Sequence, residues 1–256
     1  MATNAPRPSA SPGPQPPLPQ ETSYWRRAED RQRVVNMLFE RSAGHYERAC
    51  GIMALGSGQA YRRAALERAG LYAGMDVLDV GTGTGLLACE VVQMLGAGRH
   101  VVGVDPSPQM MAAGRHHRGI RFVQALGECL PFPESHFDFI TMGYALRHVP
   151  DLHEAFSEYF RVLRPGGRLL LLEITKPAST LGAGLSRAYF GTVVPLLARI
   201  ATRSADAGQL MKFYWDTIEH CVRPEVVLAA LSQSGFVAKR TTVHGIFSEY
   251  TASRRG

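Results

Sequence analysis

The sequence contains only four cysteines in 256 residues, and they lie far apart at Cys50, Cys89, Cys129 and Cys221. None forms a Cys-x-x-Cys pair, so the spacing argues against both a disulfide framework and a zinc site. We therefore expect free thiols, a reducing cytoplasmic compartment and no bound metal.

Long apolar runs are also absent. The best candidate, residues 190–201, is interrupted by Pro195 and carries Arg199, whereas a membrane-spanning helix needs about 20 predominantly apolar residues. We therefore predict no transmembrane helix. Residues 1–20 hold seven prolines and no apolar core, which argues against a secretory signal and predicts a disordered, Pro-rich tail over residues 1–22.

The chain has little excess charge of either sign. Its 28 basic and 22 acidic side chains leave a net charge of +6, and 45% of the residues are hydrophobic. This composition is typical of a globular protein with a mixed-charge surface. No nucleic-acid-binding motif is present, so we predict no nucleic-acid partner. The composition leaves two further partners possible: acidic lipid, contacted weakly at a membrane surface, and a second copy of the chain in a homodimer.

The order of apolar patterns predicts a doubly wound α/β fold with a mostly parallel, seven-stranded sheet and a helical cover. Helical spacing runs from Trp25 to about Leu71, and from Met75 apolar runs alternate with helical stretches. Strands are predicted at 76–80, 100–105, 121–124, 137–142, 168–174, 236–243 and 247–253. Helices are predicted at 85–95, 108–115, 153–163 and 224–234.

We divide the chain into the tail 1–22, an N-terminal helical lid 23–72 and a catalytic domain 73–256. The domain carries a helical insertion at about 181–221, interrupted by Pro195, and a predicted turn at Arg164-Pro165-Gly166-Gly167. Lid and insertion are expected to cover an apolar pocket. This expectation rests on their apolar side chains Met53, Leu55, Phe190, Leu196, Leu197, Phe213, Tyr214 and Trp215.

A glycine loop follows the first predicted strand. Val77-Leu78-Asp79-Val80 leads directly into Gly81-Thr82-Gly83-Thr84-Gly85 and then into a helix. Glycine suits a backbone that turns sharply and approaches a ligand closely. Asp105, twenty residues after Gly85, closes the second strand, where an acid can accept the hydrogen bonds of a ribose diol.

A dinucleotide site is the main alternative, because Gly83-x-Gly85-x-x-Ala88 satisfies its fingerprint. Asp79 argues against it, since a carboxylate there would repel a pyrophosphate but attract a sulfonium or amino group. The chain also lacks room for a separate substrate domain after the sheet. We therefore favour S-adenosylmethionine as the cofactor, with NAD and a glycine turn without ligand as the alternatives.

The sequence resembles class I, Rossmann-like methyltransferases, specifically the C-methyltransferase family of ubiquinone and menaquinone biosynthesis. The resemblance covers roughly residues 36–256. Besides the glycine loop it rests on Phe-Val-Gln-Ala at 122–125, Glu-Cys-Leu-Pro-Phe-Pro at 128–133, Tyr-Ala-Leu-Arg-His-Val-Pro-Asp at 144–151, Arg-Val-Leu-Arg-Pro-Gly-Gly-Arg at 161–168 and Leu-Glu-x-x-Lys-Pro at 172–177.

This resemblance implies cofactor contacts. The methionine moiety would lie at the loop with Asp79, Gly81, Gly83, Thr84 and Gly85, and the ribose at Asp105. Adenine would lie against Met110 and the turn of Leu126 and Gly127, with Gly143 lining the cavity. Two positions depart from the family pattern: Leu126 replaces an Asn or Asp, and His148 replaces an Asn.

Methylation of a phenolic ring carbon requires electron density that a deprotonated hydroxyl supplies best. His148 is our candidate base, with Arg147 beside it to stabilise a phenolate. The resemblance independently marks this pair and a lid tyrosine, here Tyr46. The alternatives are a helix-start role for His148, a salt bridge from Arg147 to Asp151, and packing for Tyr46.

Three functions follow from the sequence. The first is methyl transfer from S-adenosylmethionine to a ring carbon of a quinol, prenylated or not, or of a related phenolic acceptor. The second is C- or O-methylation of a small aromatic or polyketide-like acceptor in specialised metabolism. The third is a non-catalytic regulatory protein that binds the cofactor, against which the intact loop and its acids argue.

Overall fold

The computed structural model describes residues 15–19, 21–96, 101–177 and 179–256. In this part of the chain the helices α1 to α10 span Arg31–Ser42, Tyr46–Met53, Gly58–Ala69, Leu86–Leu95, Pro108–Ala113, Leu152–Val162, Thr180–Ala188, Val194–Thr202, Ala205–His220 and Pro224–Gln233. The strands β1 to β7 span Val77–Val80, Val101–Asp105, Ile120–Gln124, Phe137–Gly143, Leu163–Ile174, Phe236–Val243 and Phe247–Arg254.

The seven strands form one sheet in the order β3-β2-β1-β4-β5-β7-β6. All neighbouring pairs are parallel except those with β7, which runs antiparallel to both β5 and β6. The order reverses direction beside β1, so a crevice forms at the carboxyl ends of β1 and its neighbours. The predicted fold class and strand number are confirmed.

Apolar side chains cover both faces of the sheet. Leu169 and Leu171 of β5 join the core under α6 and α10, while Leu170 and Leu172 join the core under α3 and α4. This alternation follows from the two-residue period of a strand, and parallel strands buried on both faces read as continuous apolar runs. A third cluster links α1, α8 and α9 above the carboxyl edge of the sheet.

Strand β5 differs from its prediction at the start. It begins at Leu163 and includes Arg164 to Gly167, which the sequence predicted as a separate turn. The pairing with β4 shifts register between Phe137 and Phe139, and Gly166 adopts φ +81°. A bulge of this kind bends a strand without ending its pairing.

The predicted break at Pro195 is wrong. Helix α7, a π-helical turn at Tyr189–Val193 and α8 follow one another without interruption. The π-helical turn before α8 changes the hydrogen-bonding pattern, so that the helix continues past Pro195, which has no N–H to donate. The chain breaks instead at Arg203, which adopts a left-handed φ of +54°.

The resulting helix from Thr180 to Thr202 has 23 residues and a mean hydropathy of 1.2 in its most apolar window. This helix is long and apolar enough to cross a membrane by length and composition only. In the part of the chain that the structure describes, no other helix meets these criteria.

The structure describes residues 15–19, 21 and 22 of the predicted tail. Pro17 and Leu18 are buried, the carbonyl of Pro17 accepts a hydrogen bond from the amide of Val222, and that of Gln15 accepts one from Leu152. The amide of Gln15 donates to the carboxylate of Asp151. The disorder of the tail stays a prediction. Residues 1–14 and Gln20 lie outside the described residues.

Candidate active site

The glycine loop turns sharply at the carboxyl end of β1. Gly81 and Gly83 adopt left-handed φ values of +65° and +56°. A Cβ on Gly81 would lie 2.6 Å from the Cβ of Ala145, and one on Gly83 would lie 3.3 Å from Cε of Met110. The loop therefore presents bare backbone to the crevice, as close contact with a ligand requires.

Asp105 ties the loop to the end of β2. Its two carboxylate oxygens accept hydrogen bonds from the amides of Gly83 (2.8 Å) and Ser107 (2.9 Å). Each oxygen keeps a second lone pair for a ligand. Burial raises the pKa of Asp105 from 3.8 to about 6, against the lowering effect of these two hydrogen bonds.

Asp79 is the second carboxylate of the loop. One oxygen accepts a 2.6 Å hydrogen bond from the hydroxyl of Thr141, and the other is buried without a partner. Burial raises the pKa of Asp79 to about 6, although the hydrogen bond from Thr141 lowers it. A buried, unpartnered carboxylate oxygen is costly, and a cationic ligand group satisfies it.

Two cavities meet at this loop. The first, of about 770 Å³, runs from Asp105 and Met110 past Leu126 and Gly127 to His148. The second, of about 850 Å³, runs from Asp79 and Thr82 to an apolar region. That apolar region is lined by Met53, Tyr61, Ile174, Phe190 and Phe247.

Both cavities share five lining residues, which we call the junction: Tyr46, Gly81, Gly143, Tyr144 and Tyr214. Gly143 leaves little room, since a Cβ there would lie 3.1 Å from Leu87. Tyr144 adopts φ +60°, a left-handed conformation that costs a non-glycine residue about 1–3 kcal/mol. Such strain is typical of sites where function fixes the backbone.

Side chains behind the junction form a connected chain. The hydroxyl oxygens of Tyr46 and Tyr214 lie 2.7 Å apart, and the Arg147 guanidinium lies over the Tyr214 ring at 4.6 Å. Arg147 donates to Glu173 (2.6 Å) and Thr217 (3.0 Å) and is fully buried. Burial disfavours its charge, but Glu173 together with Tyr214, Cys221 and Tyr46 outweighs this and raises the pKa of Arg147.

His148 lies in the first cavity with both ring nitrogens buried and unpartnered. Its ring stacks on Phe213 at 5.6 Å and meets Phe39 edge-on at 5.3 Å. Desolvation, reinforced by the charges of Arg147 and Arg31, holds the pKa of His148 well below 6.5. The imidazole is therefore neutral and free to accept a proton or a hydrogen bond.

Further contacts join the N-terminal helices to this region. The buried Arg31 of α1 donates to the carbonyls of Arg147 (2.8 Å) and Val149 (2.9 Å), on either side of His148. Glu47 of α2, next to Tyr46, lies 3.0 Å from Nε2 of His117, and His116 lies beside it. One carboxylate oxygen and one ring nitrogen from each histidine of this trio lie within 4.8 Å of one another.

Not every predicted residue faces a cavity. Thr84 is buried and lines neither of the two cavities, and Gly85 instead precedes α4 with φ +91°. Arg147 lines neither, and its ion pair is with Glu173 rather than Asp151, which accepts from the amides of His153 and Glu154 and so caps α6. Leu196 and Leu197, predicted to cover the pocket, are exposed.

Thr82, Tyr144 and Arg62 are among the lining residues that sequence reasoning missed. Thr82 lines the second cavity in place of Thr84, and Tyr144 belongs to the junction. Arg62 of α3 lines the second cavity, and its Nε is buried without a partner. Nothing in the neighbouring sequence marks Arg62 as a site residue, because the residues of α3 are typical of a solvent-exposed helix.

The site therefore fits a ligand that joins a ribose to a positively charged group. Asp105 offers acceptors for the diol, the loop leaves room for close approach, and the unpartnered oxygen of Asp79 suits a cation rather than a phosphate. Together with a seven-stranded sheet whose last strand is antiparallel, these features define a methyltransferase that depends on S-adenosylmethionine.

Comparison with known proteins agrees with this class. Residues 26–251 match the ubiE/COQ5 methyltransferase family, and the chain belongs to that family. A ubiquinone/menaquinone biosynthesis C-methyltransferase UbiE from Pseudomonas putida is 34% identical over 229 residues, covering 87% of this chain and 88% of that protein. A UbiE from Francisella tularensis is 35% identical over 186 residues, covering 70% and 74%.

Among solved structures, a SAM-dependent methyltransferase from Thermotoga maritima superposes with a TM-score of 0.61. The alignment covers 86% of this chain and 99% of that one at 20% sequence identity. At this identity the likeness supports the fold alone.

Proposed function

We propose that this methyltransferase transfers a methyl group to a ring carbon of a quinol or related phenolic acceptor. The observation that carries the proposal is the junction, where an apolar, aromatic-lined cavity meets the cofactor loop beside the neutral imidazole of His148. The names of the UbiE relatives, which are ubiquinone/menaquinone C-methyltransferases, support the same acceptor class.

In this proposal residues of both cavities would hold the cofactor. Asp105 would bind the ribose diol, Met110 and Gly127 would lie against the adenine, and Asp79 would accept from the ammonium group. Arg62 would pair with the carboxylate. When bound, S-adenosylmethionine supplies an electrophilic methyl group that is attached to a positively charged sulfur. Once the methyl group is transferred, that sulfur is left as a neutral thioether.

The acceptor ring would lie at the junction, held by the hydroxyls of Tyr46 and Tyr214. His148 accepts the proton of an acceptor hydroxyl, and the electron pair of that O–H bond passes into the ring and onto the carbon that is methylated. That carbon then gives up its own proton to solvent, and the electron pair of its C–H bond restores the aromatic ring. The phenolate oxygen regains a proton from the imidazolium of His148, which returns to its neutral form. Burial makes His148 a weak base in isolation, but a phenolate formed beside it stabilises the imidazolium.

Helices flank this point on both sides. We propose that residues 23–72 act as a lid and that 181–221 form a helical insertion on the catalytic domain. Met53 from the first segment and Phe190 and Tyr214 from the second line the second cavity. Arg147 acts through Tyr214 as a positioning residue, since it reaches neither cavity.

The acceptor is tested by product analysis. The purified protein is incubated with S-adenosylmethionine and either a short-chain prenylated hydroquinone or a small phenol such as catechol. Mass spectrometry and NMR then locate the new methyl group. We expect a C-methyl product from the hydroquinone; an O-methyl product, or turnover of catechol alone, would instead favour the second candidate.

That second candidate is a C- or O-methyltransferase for a small aromatic acceptor. His148 favours it, because a neutral base next to the donor activates a hydroxyl for attack by oxygen as readily as by ring carbon. The family resemblance places Asn at this position in the quinone enzymes.

Replacement of His148 by Asn is expected to lower kcat by at least tenfold, since a positioned base contributes about 10²–10⁴-fold and Asn accepts no proton. The KM for S-adenosylmethionine should stay within about twofold. Steady-state kinetics measures both, with the exposed His220 changed to Asn as the matched control. An unchanged kcat would remove His148 from the mechanism.

Replacement of Arg62 by Met is expected to raise the KM for S-adenosylmethionine by about tenfold, the cost of one hydrogen bond to a charged group. The reason is its unpartnered Nε in the cavity that contains Asp79. The exposed Arg63, one residue further along α3, changed to Met is the control. Equal KM values for the two variants would contradict a carboxylate-binding role.

A further inference from the structure

One face of the helix from Thr180 to Thr202 is apolar and exposed. Its side chains recur at three- and four-residue spacing and are between 42% and 74% exposed. They are Leu181, Leu185, Val193, Leu196, Leu197 and Ile200. Scattered exposed leucines need no explanation, but a contiguous apolar face of this kind marks an interaction surface. We call these six residues the apolar face.

The opposite side of the same helix is held by the protein. Phe190, Val194, Ala198 and Thr202 are buried at four-residue intervals, and the Phe190 ring stacks on Trp215 of α9 at 6.0 Å. The helix cannot cross a bilayer without losing this packing. It can lie in the plane of a membrane surface with only the apolar face inserted.

The segment that carries the apolar face has charged side chains of one sign only. Residues 175–204 contain Lys176, Arg187, Arg199 and Arg203 but no Asp or Glu. Lys176 and Arg187 lie near Glu219, while Arg199 and Arg203 are exposed and have no ion pair in the part of the chain that the structure describes. Positive charge beside inserted apolar side chains is complementary to anionic lipid.

The same helix forms a wall of the second cavity. Phe190 lines it from the helix side, and the hydroxyl of Tyr189 lies 3.4 Å from the carbonyl of Met53, which lines it from α2. Leu55, two residues after Met53, is 77% exposed. The apolar region of the cavity therefore lies directly behind the exposed helix.

We infer that the apolar face docks on an anionic lipid bilayer and brings the second cavity to the membrane surface. A prenylated acceptor would then pass its ring into the cavity while its chain stays in lipid. This last step rests on the proposed function, whereas the docking itself does not.

A second copy of the chain is the competing occupant. A symmetric dimer through this helix would bring the same patch of both copies together. Arg199 and Arg203 of each copy would then approach a partner helix that carries no acidic residue to offset them. Lipid phosphates offset these charges, so the bilayer is favoured.

Docking is tested by vesicle flotation of the full chain without acceptor. Vesicles of phosphatidylcholine alone are compared with vesicles of phosphatidylcholine mixed with phosphatidylglycerol. We expect binding to the anionic vesicles that falls as salt rises. The triple variant Leu185→Gln, Leu196→Gln, Ile200→Gln should bind at least tenfold more weakly. Each of Arg199→Gln and Arg203→Gln should weaken binding by about fivefold.

Val237→Gln is the matched control, because this side chain is 47% exposed on the edge strand β6 and should leave vesicle binding unchanged. Turnover of a short-chain, water-soluble acceptor should be the same in the triple variant and the wild type, which separates docking from catalysis. Equal vesicle binding by the wild type and the triple variant would overturn the proposal. So would a dimer in light scattering that the triple substitution dissociates.

Discussion

Replacing Arg147 by Met is expected to lower the free energy of unfolding by about 3–5 kcal/mol, because Glu173 would remain buried without its partner. Arg147 is fully buried, donates to Glu173 at 2.6 Å and lies over the Tyr214 ring. Urea unfolding followed by circular dichroism measures the change. The double variant Arg147→Met, Glu173→Gln should recover most of the loss, since it leaves no uncompensated charge.

The matched control is the exposed pair of Arg63 and Glu67 on α3. Arg63→Met should change the free energy of unfolding by less than about 1 kcal/mol, since solvent screens exposed pairs. If Arg147→Met folds as stably as the wild type and loses only kcat, Arg147 acts on the acceptor directly, and its positioning role is wrong.

A positioning role also makes a kinetic prediction for the double variant. Its Tyr214 ring loses the cation that packs on it, so the Tyr46–Tyr214 pair is held less firmly at the junction. The double variant should therefore recover stability without recovering full kcat. A merely structural ion pair would recover both together.

The glycine loop and the strands could be predicted from the sequence because their signals are local. A buried parallel strand reads as an apolar run, and a loop that approaches a ligand needs glycine at fixed places. Asp79 and Asp105 end successive strands that pair side by side, so their convergence on one crevice follows from the sheet order.

Partners that are distant in sequence could not be predicted in this way. The sequence analysis gave Asp151 as a salt-bridge partner for Arg147, because the two are four residues apart. The carboxylate of Asp151 instead caps the start of α6 at Leu152. Glu173 is 26 residues away and reaches Arg147 only because β5 ends beside the turn that carries it. The pairing of Tyr46 with Tyr214 spans 168 residues and depends on how α2 meets α9.

The long helix shows a second limit of local patterns. Apolar residues at helical spacing reveal that a face will be buried, but not whether protein or lipid buries it. Leu196 and Leu197 were predicted to cover the pocket and lie outside, whereas Phe190 lines it. The difference depends on the rotation of the helix about its axis, which packing against α9 sets.

Binding of S-adenosylmethionine is expected to weaken by about 100-fold as the solution is acidified from about pH 7 to about pH 5. Burial raises the pKa of both Asp79 and Asp105 to about 6, so both are mostly protonated at the lower pH. Each carboxyl that must ionise before binding contributes about tenfold over this range. Titration calorimetry at the two pH values measures the affinities.

The variants Asp79→Asn and Asp105→Asn should each bind more weakly at neutral pH and lose about half of the logarithmic pH dependence, because one titrating carboxyl remains. Glu225→Gln is the control, since this exposed acid lies at the start of α10. It should keep the full pH dependence.

Protonation of Asp79 and Asp105 does not unfold the protein at low pH, so unfolding through these two groups does not explain a loss of cofactor affinity. Their folded-state pKa values lie above the unfolded value of 3.8, so the folded protein binds more protons than the unfolded chain between about pH 4 and pH 6. Their contribution to stability is therefore largest at the acidic end and is lost as the pH rises through about 6. Equal affinities at the two pH values would show that ionised Asp79 and Asp105 are not what holds the charged donor.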